Sequence, residues 1–447
     1  MVPLVGVPET IRRGLAPYRE VFCRAEGFEH LSRYVTGLLL SPNKTLQGIY
    51  DLQVWEPGVS HSRRAMHEAV FEAGWAADAL MPHHRALIAG AHRGCGREVI
   101  SLDWTYAHHE RGPKIWGVKK AWDHVAQRLA PYQTVVTAVI ANRARLDGIE
   151  VLVQQPNRQD EELAYLQETG RDIYLQLEEA RRRVLELLHH LVHRLGYKKR
   201  TELALDIVQQ LEREGHFPSA HYAFDHGVLS LELSRGIEHA GNHWVSELEC
   251  SRHSHWQGQW HRVDAVAQAL RQAHPESFRA VRVHCRNGET KLFWGFTKVV
   301  RLKRYGRKRL VIVHEQEDLG DTPRFLLTDA LHWESGRVLE TWSYRWTSEI
   351  FHEFGKQVCG LEAAQVRKEE AVKRHFRLSC VAQSLLQQTP ASGSATERFA
   401  FAQGTITIGQ QVRTIARDAL RSLLKLVEQL LAQGQSCEHI LGVLMPA

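Results

Sequence analysis

The sequence has few cysteines, and they form no pattern that would indicate a disulfide framework or a zinc finger. Among its 447 residues there are seven cysteines, an odd number, and no C-x-x-C pair. Disulfide-rich domains and zinc fingers need paired cysteines at short, regular spacing, so the sequence argues against both classes. A reducing cytoplasm is the compartment we expect.

Long apolar runs are also missing. No stretch of about 18 apolar residues occurs, and no basic segment followed by an apolar one stands at the N-terminus. We therefore expect a protein that is neither exported nor membrane-spanning. The glycine-rich P-loop, the dinucleotide-binding G-x-G-x-x-G motif and the G-x-S-x-G motif of hydrolases are absent as well.

The composition is that of a globular protein, with 43% hydrophobic and 24% charged residues. A chain of this length predicts two or three domains, because single cores stop growing near about 250 to 300 residues. The 57 Lys and Arg against 51 Asp and Glu give a net charge of +6. This mild excess is compatible with a polyanionic partner but does not require one.

Hydrophobic periodicity predicts an α/β protein. Residues 1–90 have helical spacing, and β-rich runs begin near residue 96 and return at 278–335. Helical patterns cover 159–214 and 341–386, a linker is predicted at 388–404, and an amphipathic helix closes the chain. A mixed core interrupted by a β-rich block is the organisation to explain.

Residues 342–357, WSYRWTSEIFHEFGKQ, are predicted as one amphipathic helix. One narrow arc carries Trp342, Arg345, Glu349, His352 and Lys356. The opposite side, predicted to pack on a sheet, carries Trp346, Ile350, Phe354 and Val358. Periodicity alone equally describes a helix whose polar side is only solvated, with Arg345 and Glu349 as an i, i+4 ion pair.

The spacing R-x3-E-x6-K at Arg345, Glu349 and Lys356 resembles the signature of the IS4-type (IS4/IS701-like) DDE transposases of bacterial insertion sequences. Trp342 stands where the family usually has Tyr, so it lacks the hydroxyl group of that residue. The residues that follow, up to about 385, also look like the family's helices after the catalytic Glu. This resemblance implies an RNase H-like catalytic core in which Glu349 is one of three acids.

The other two acids are expected in the first strand of the core and at the end of a later one. SLDWTY supplies Asp103 in a D-x-T context that resembles the family's first acidic motif, and HYAFDHG supplies Asp225 directly after an apolar run. Val228 departs from the aromatic residue common three positions after the second Asp. As alternatives, Asp103 is a solvated acid at a strand end and Asp225 caps a helix.

The resemblance implies the chemistry of the site. Asp103, Asp225 and Glu349 would hold two Mg²⁺ ions, for which Mn²⁺ substitutes, since hard cations prefer oxygen ligands and two ions serve phosphodiester cleavage. Trp342, Arg345 and Lys356 would contact DNA near the scissile bond, Arg345 by a bidentate fork.

The implied organisation has five segments. They are a helical DNA-binding domain at 1–90, the two parts of the RNase H-like core at 91–250 and 336–390, a β-rich insertion at 251–335, and a linker with a helical C-terminal tail at 391–447. The implied activity is cleavage at transposon ends and strand transfer into target DNA, by a homodimer in a synaptic complex in the cytoplasm at the nucleoid. Alternatives are a transposase-derived DNA-binding protein without catalysis and an RNase H-like nuclease without strand transfer.

Residues 298–309, KVVRLKRYGRKR, form a second candidate DNA contact with seven basic and no acidic residues. The predicted contacts are Arg301, Lys303, Arg304, Arg307, Lys308 and Arg309. The alternative is a solvated edge hairpin whose charges discourage aggregation. The histidine-rich segment HSHWQGQWH, with His253, His255 and His261, has no acid or Cys at zinc spacing, so a loop is predicted there.

Overall fold

The protein combines helices with one large mixed sheet. The computed structural model describes residues 3–445 apart from 23, 56–61, 110, 111, 113, 125, 158–163, 166, 167, 169–176, 190–196, 287 and 391–406. None of the helices in these described ranges has the length and apolar content needed to cross a membrane. The linker predicted at 388–404 falls mostly outside the described residues.

Fourteen strands lie within the described ranges. They are β1 (Leu4–Val5), β2 (Gln53–Val54), β3 (Val99–His108), β4 (Lys119–Asp123), β5 (Arg128–Ala141), β6 (Leu146–Val153), β7 (His221–Phe224), β8 (Trp244–Glu247), β9 (His253–Trp256), β10 (Gln259–Arg262), β11 (Arg279–His284), β12 (Thr290–Leu302), β13 (Gly306–His314) and β14 (Arg324–Thr328).

The helices of the same ranges precede, interrupt and follow the strands. Before β3 they are Glu9–Leu15, Ala25–Leu40, Leu46–Asp51, Arg63–His67 and Ala77–His92, with short 3₁₀ and π segments at Ala16–Val21 and Glu68–Glu72. Between strands they are Leu177–His189, Arg200–Glu214, Leu231–His239 and Val263–Ala273, with a 3₁₀ turn at Pro275–Ser277. After β14 they are Ser335–Ser343, Trp346–Gln357, Glu369–Gln388, Ile408–Ala432 and Cys437–Leu444.

Twelve strands form the large sheet, in the order β10-β9-β12-β13-β14-β8-β7-β3-β5-β4, with β11 on β12 and β6 on β5. At its centre β3 is antiparallel to β5 and parallel to β7, and β7 is parallel to β8. The sheet is buried on both faces near β3 and β5, and the second half of β5 is accordingly a nearly continuous apolar run. Strand β3 alternates instead, with Ser101, Asp103 and Thr105 on one face.

The segment 251–335 continues this sheet. Strand β14 pairs antiparallel with β8 through Leu326–Glu247 and Thr328–Val245, so six strands of the segment extend the central ones without a break. The domain boundaries at residues 90, 250, 335 and 390 stay predictions.

The N-terminal helices share a hydrophobic core with the helix Glu369–Gln388, where Leu31, Leu38 and Phe71 are buried in the same cluster as Leu378 and Leu385. A second junction is ionic. Buried Arg85 on the helix Ala77–His92 donates to Glu150 on β6 and to both carboxylate oxygens of Glu214, each at 2.6 Å. Loss of Arg85 would therefore leave two carboxylates facing each other.

The helix predicted over 341–386 is interrupted twice. It ends at Ser343, restarts at Trp346, stops again at Gln357, and resumes only at Glu369. The break at Tyr344 and Arg345 means that Trp342 does not share a helix with Glu349, contrary to the prediction.

Candidate active site

Strands β3 and β7 bring Asp103 and Asp225 side by side. The last parallel pair is Ser101 with Ala223, and each aspartate stands two residues further along its own strand, in the same register. Neighbouring strands are roughly 4.8 Å apart, and residues two positions apart project from the same face. The two carboxylates are therefore neighbours at the point where β7 ends.

Few partners surround this acidic pair of Asp103 and Asp225. One carboxylate oxygen of Asp103 accepts from the backbone N–H of Trp104 at 2.8 Å, and one of Asp225 accepts from that of Val228 at 3.0 Å. The second bond closes the turn after β7. The following helix is capped by Ser230, so Asp225 is not the helix cap that the sequence offered as an alternative. Throughout the described ranges neither carboxylate forms an ion pair.

Burial and charge together perturb Asp103. Burial, with the nearby charge of Asp225, raises the pKa of Asp103 to about 7, and Glu349 adds to this while Arg345 partly offsets it. Two negative charges held together in a partly desolvated place favour protonation of one of them. Asp103 thus ionises near neutral pH and gains from any bound cation.

The helix Trp346–Gln357 docks on this face of the sheet through small polar contacts. The hydroxyl of Ser348 donates to that of Ser101 at 2.6 Å, and the Ser101 hydroxyl donates to the backbone carbonyl of Arg345 at 3.0 Å. Buried His352 hydrogen-bonds to Thr137, the residue paired with Asp103 across β3 and β5, at 2.7 Å. These contacts fix the start of the helix beside the acidic pair.

Glu349 lies next to Ser348, near enough for its charge to act on Asp103. Its carboxylate forms an ion pair with Arg345 at 2.6 Å and is about one-third exposed. The i, i+4 pair that the sequence left as an alternative is therefore present. It does not remove Glu349 from the neighbourhood of the aspartates.

The packing face of this helix was predicted wrongly. Trp346 was expected to pack on the sheet and is 58% exposed, whereas the buried positions are Thr347, Ser348, Phe351, His352 and Gly355. Hydrophobic periodicity assigns bulky apolar residues such as Trp346 to the buried face of a helix. Here the helix approaches the sheet closely through small side chains, and the hydroxyl of Ser348 finds a partner on β3.

The predicted phosphate-binding cations both have protein partners. Lys356 donates to the backbone carbonyl of Tyr106 at 2.7 Å and forms an ion pair with Glu362 at 3.2 Å. Trp342 is half-buried on the preceding helix, where the guanidinium group of Arg324 lies 5.3 Å from its ring centre. Of the three residues only Arg345 lies near enough for its charge to act on Asp103, whereas Lys356 is held three residues further along β3, at Tyr106.

The acidic pair fits a divalent cation only in part. Its donors are carboxylate oxygens, which suit Mg²⁺. Among the described residues no Lys, Arg or His side chain forms an ion pair with either carboxylate. Over the residues described, no three His, Cys, Asp or Glu side chains stand close enough to hold one ion. Glu349 would have to turn from Arg345 to become the third ligand.

The basic segment 298–309 folds into the β12–β13 hairpin, with Arg301, Lys303, Arg304 and Arg307 exposed. Lys308 is buried and forms an ion pair with Glu238 at 3.1 Å. The guanidinium group of Arg309 donates to the Leu331 carbonyl at 2.9 Å and to Thr297 at 3.0 Å. Strand alternation turns Lys308 to the core side, whereas Arg309 is on the face of Arg307 and is held by its own hydrogen bonds. The DNA contacts predicted for the hairpin stay predictions.

The histidine-rich segment is a hairpin of β9 and β10, not the predicted loop. Its two-residue turn places Gln257 at φ 48° and Gly258 at φ 87°, the geometry of a type I′ turn. His261 pairs with Ser254, whereas His253 and His255 project from the other face. The three imidazoles therefore do not converge.

Sequence reasoning missed Ser101, Thr137 and Ser348, which position the Glu349 helix. The position of Ser101 two residues before Asp103, on the same face of a strand, was the available signal.

A scan against protein-family models finds no matching family, and a search of curated proteins finds no similar sequence.

Proposed function

We propose that this protein is a DNA transposase of the IS4-type DDE class, which cleaves transposon ends and transfers the freed strand into target DNA. The observation that carries the proposal is the acidic pair. Asp103 and Asp225, chosen for their sequence context, are neighbours on parallel strands, on the face where the Glu349 helix docks.

The order of the central strands supports an RNase H-like core. Three antiparallel strands, β6, β5 and β3, are followed by the parallel strands β7 and β8. This is the arrangement expected of such a core, with one acid within its first strand and one at the end of its fourth. Segment 251–335 then corresponds to the β-rich insertion.

Asp103, Asp225 and Glu349 would hold two Mg²⁺ or Mn²⁺ ions. Bound ions would activate the attacking water or 3′ hydroxyl and stabilise the leaving oxygen. Asp103 would hold the ions as a carboxylate and would therefore release its proton when they bind. To serve as the third ligand, Glu349 would have to leave its ion pair with Arg345, and the freed guanidinium group would then be available to a backbone phosphate.

The DNA partners and the homodimer in a synaptic complex follow from the family resemblance, as does a place in the cytoplasm at the nucleoid.

The first alternative is a DNA-binding protein without catalysis. Such a protein would not need two neighbouring aspartates that no protein cation among the described residues neutralises, one of which ionises near pH 7. Such a pair lowers stability unless it has a ligand. A nuclease that only cuts has the same acids, so joining of DNA is the discriminating activity.

The test compares Glu349→Gln with Glu353→Gln, an exposed acid on the same helix. The substrate is DNA from both flanks of the gene, where transposon ends would lie. Glu349→Gln should abolish Mg²⁺-dependent cleavage and keep DNA binding, and Glu353→Gln should change neither. Undiminished cleavage by Glu349→Gln would refute the assignment, and cleavage without joining to a target would favour the nuclease.

A further inference from the structure

A recess rich in cations lies beside the start of the Glu349 helix and is here called the cationic cavity. It has a volume of about 450 Å³, and residues of β11, β12 and the helix Ser335–Ser343 complete its lining. Four cations and one acid stand among the lining residues: Arg286, Lys291, Arg324, Arg345 and Glu315. An excess of positive charge in a recess favours an anionic ligand.

Two of these cations have no acidic partner. Among the described residues neither Arg286 nor Lys291 forms an ion pair, and Arg286 donates to the backbone carbonyl of Asn142 at 2.9 Å. Burial lowers the pKa of Arg286, because a desolvated cation without an opposite charge is destabilised. An anion in the cationic cavity would compensate this charge.

The other two cations lie against one indole ring. The guanidinium groups of Arg324 and Arg345 are 5.3 and 5.8 Å from the ring centre of Trp342. Arg324 forms an ion pair with Glu315 at 3.2 Å. Arg345 forms its ion pair with Glu349 at 2.6 Å, so this one guanidinium group belongs both to the cationic cavity and to the Glu349 carboxylate.

Arg345 therefore connects the cationic cavity to the acidic pair. While it holds Glu349, no three His, Cys, Asp or Glu side chains of the described residues are close enough to hold one ion. An anion in the cavity competes with Glu349 for the guanidinium group. A metal ion beside Asp103 and Asp225 repels that group and attracts the carboxylate. Both ligands favour the same rearrangement, so each should strengthen binding of the other.

We infer that the cationic cavity binds a small oxyanion of the phosphate or sulfate class, and that this anion releases Glu349 from Arg345 to complete the metal site. The inference rests on the proposed function, which supplies the role of Glu349 as a metal ligand, and it adds a second ligand that regulates this site. An ion pair between partly exposed side chains holds Glu349 back by about 2- to 5-fold. The anion raises metal affinity by no more than that factor.

The experiment measures binding of Mn²⁺ to the full chain without DNA, from the electron paramagnetic resonance signal of the free ion. Sulfate replaces chloride at constant ionic strength, so that screening is unchanged. Buffer without protein corrects for pairing of Mn²⁺ with sulfate in solution. Wild type should bind Mn²⁺ about 2- to 5-fold more tightly in sulfate. Neither Arg345→Gln nor Glu349→Gln should respond to sulfate, because each lacks one half of the ion pair.

Two further variants separate this ion pair from others and locate the anion. Arg64→Gln is the matched control, since it breaks an i, i+4 pair with Glu68 that is also 2.6 Å long, and it should respond as wild type does. Lys291→Gln changes an exposed residue of the cationic cavity and should raise the sulfate concentration at half effect about 2- to 5-fold. A titration with dimethyl phosphate distinguishes a free dianion from a diester group, and a response to either anion supports the inference.

Equal Mn²⁺ affinity of wild type in chloride and in both oxyanions would overturn the inference, as would an equal response of Arg345→Gln. Unchanged sulfate dependence in Lys291→Gln would place the anion outside the cationic cavity and would overturn it too. Failure of the proposed function has a different result. If wild type binds no more Mn²⁺ than Asp103→Asn does, the acidic pair is not a metal site and both proposals fall.

Discussion

Asp103 should make the metal-free protein less stable as the pH rises, and Asp103→Asn should remove this effect. The pKa of the carboxyl is raised from 3.8 to about 7 in the folded state, by burial and by the charge of Asp225. Between these two values the folded protein keeps a proton that the unfolded chain releases. Stability therefore falls as pH increases through this window and levels off above about pH 7.

The magnitude follows from the two pKa values. Each tenfold change in proton affinity is worth about 1.4 kcal/mol, so the full window corresponds to about 4 kcal/mol. Partial exposure of Asp103 reduces this, and we expect about 2 to 4 kcal/mol. At about pH 8 Asp103→Asn should be more stable than wild type by that amount, and near pH 4 the difference should disappear.

The assay is urea denaturation in EDTA at several pH values between about 4 and 8, followed by tryptophan fluorescence. Glu353→Gln, on the exposed side of the neighbouring helix, is the control and should follow wild type. Adding Mg²⁺ at about pH 8 should stabilise wild type more than Asp103→Asn, because a ligand of the folded state shifts unfolding by mass action. A stability difference between wild type and Asp103→Asn that is the same at every pH would refute the reasoning.

Two further predictions concern the packing that supports the acidic pair. Arg85→Met should lower the free energy of unfolding by about 3 to 5 kcal/mol, because Glu150 and Glu214 lose their shared buried partner; a loss below about 1 kcal/mol in chemical denaturation would contradict this. Gly148→Ala on β6 should cost about 1 to 3 kcal/mol, since its methyl group would overlap Phe351 and approach Cys380 Sγ to 2.7 Å. Gly90→Ala, which meets nothing within 4 Å, should instead stabilise by about 0.5 to 1 kcal/mol, so equal effects of the two alanines would count against the packing argument.

The strands of the site could be predicted from the sequence, whereas their pairing could not. The apolar runs around Asp103 and before Asp225 predicted strands there, and β3 and β7 occupy those places. Periodicity within a run says nothing about which distant strand lies beside it. The pairing of Ser101 with Ala223 depends on tertiary packing, and only the resemblance pointed to these two acids together.

The errors have physical causes of their own. Trp346 was assigned to the core because it is large and apolar, yet Ser348 is the buried residue, satisfied by the hydroxyl of Ser101. The β9–β10 hairpin was missed because its turn places Gln257, a residue that rarely adopts positive φ, before Gly258. In the first case tertiary packing overrode a local rule, and in the second the turn uses a residue that the rule does not favour.

The late position of β14 in the chain has a consequence during synthesis. Strand β8 ends at Glu247, but its outer partner is complete only when Thr328 has been made. At about 5 to 20 residues per second the ribosome needs roughly 4 to 16 seconds to add the intervening segment. For that time a nascent chain presents an open strand edge, which makes newly made copies a natural client for chaperones.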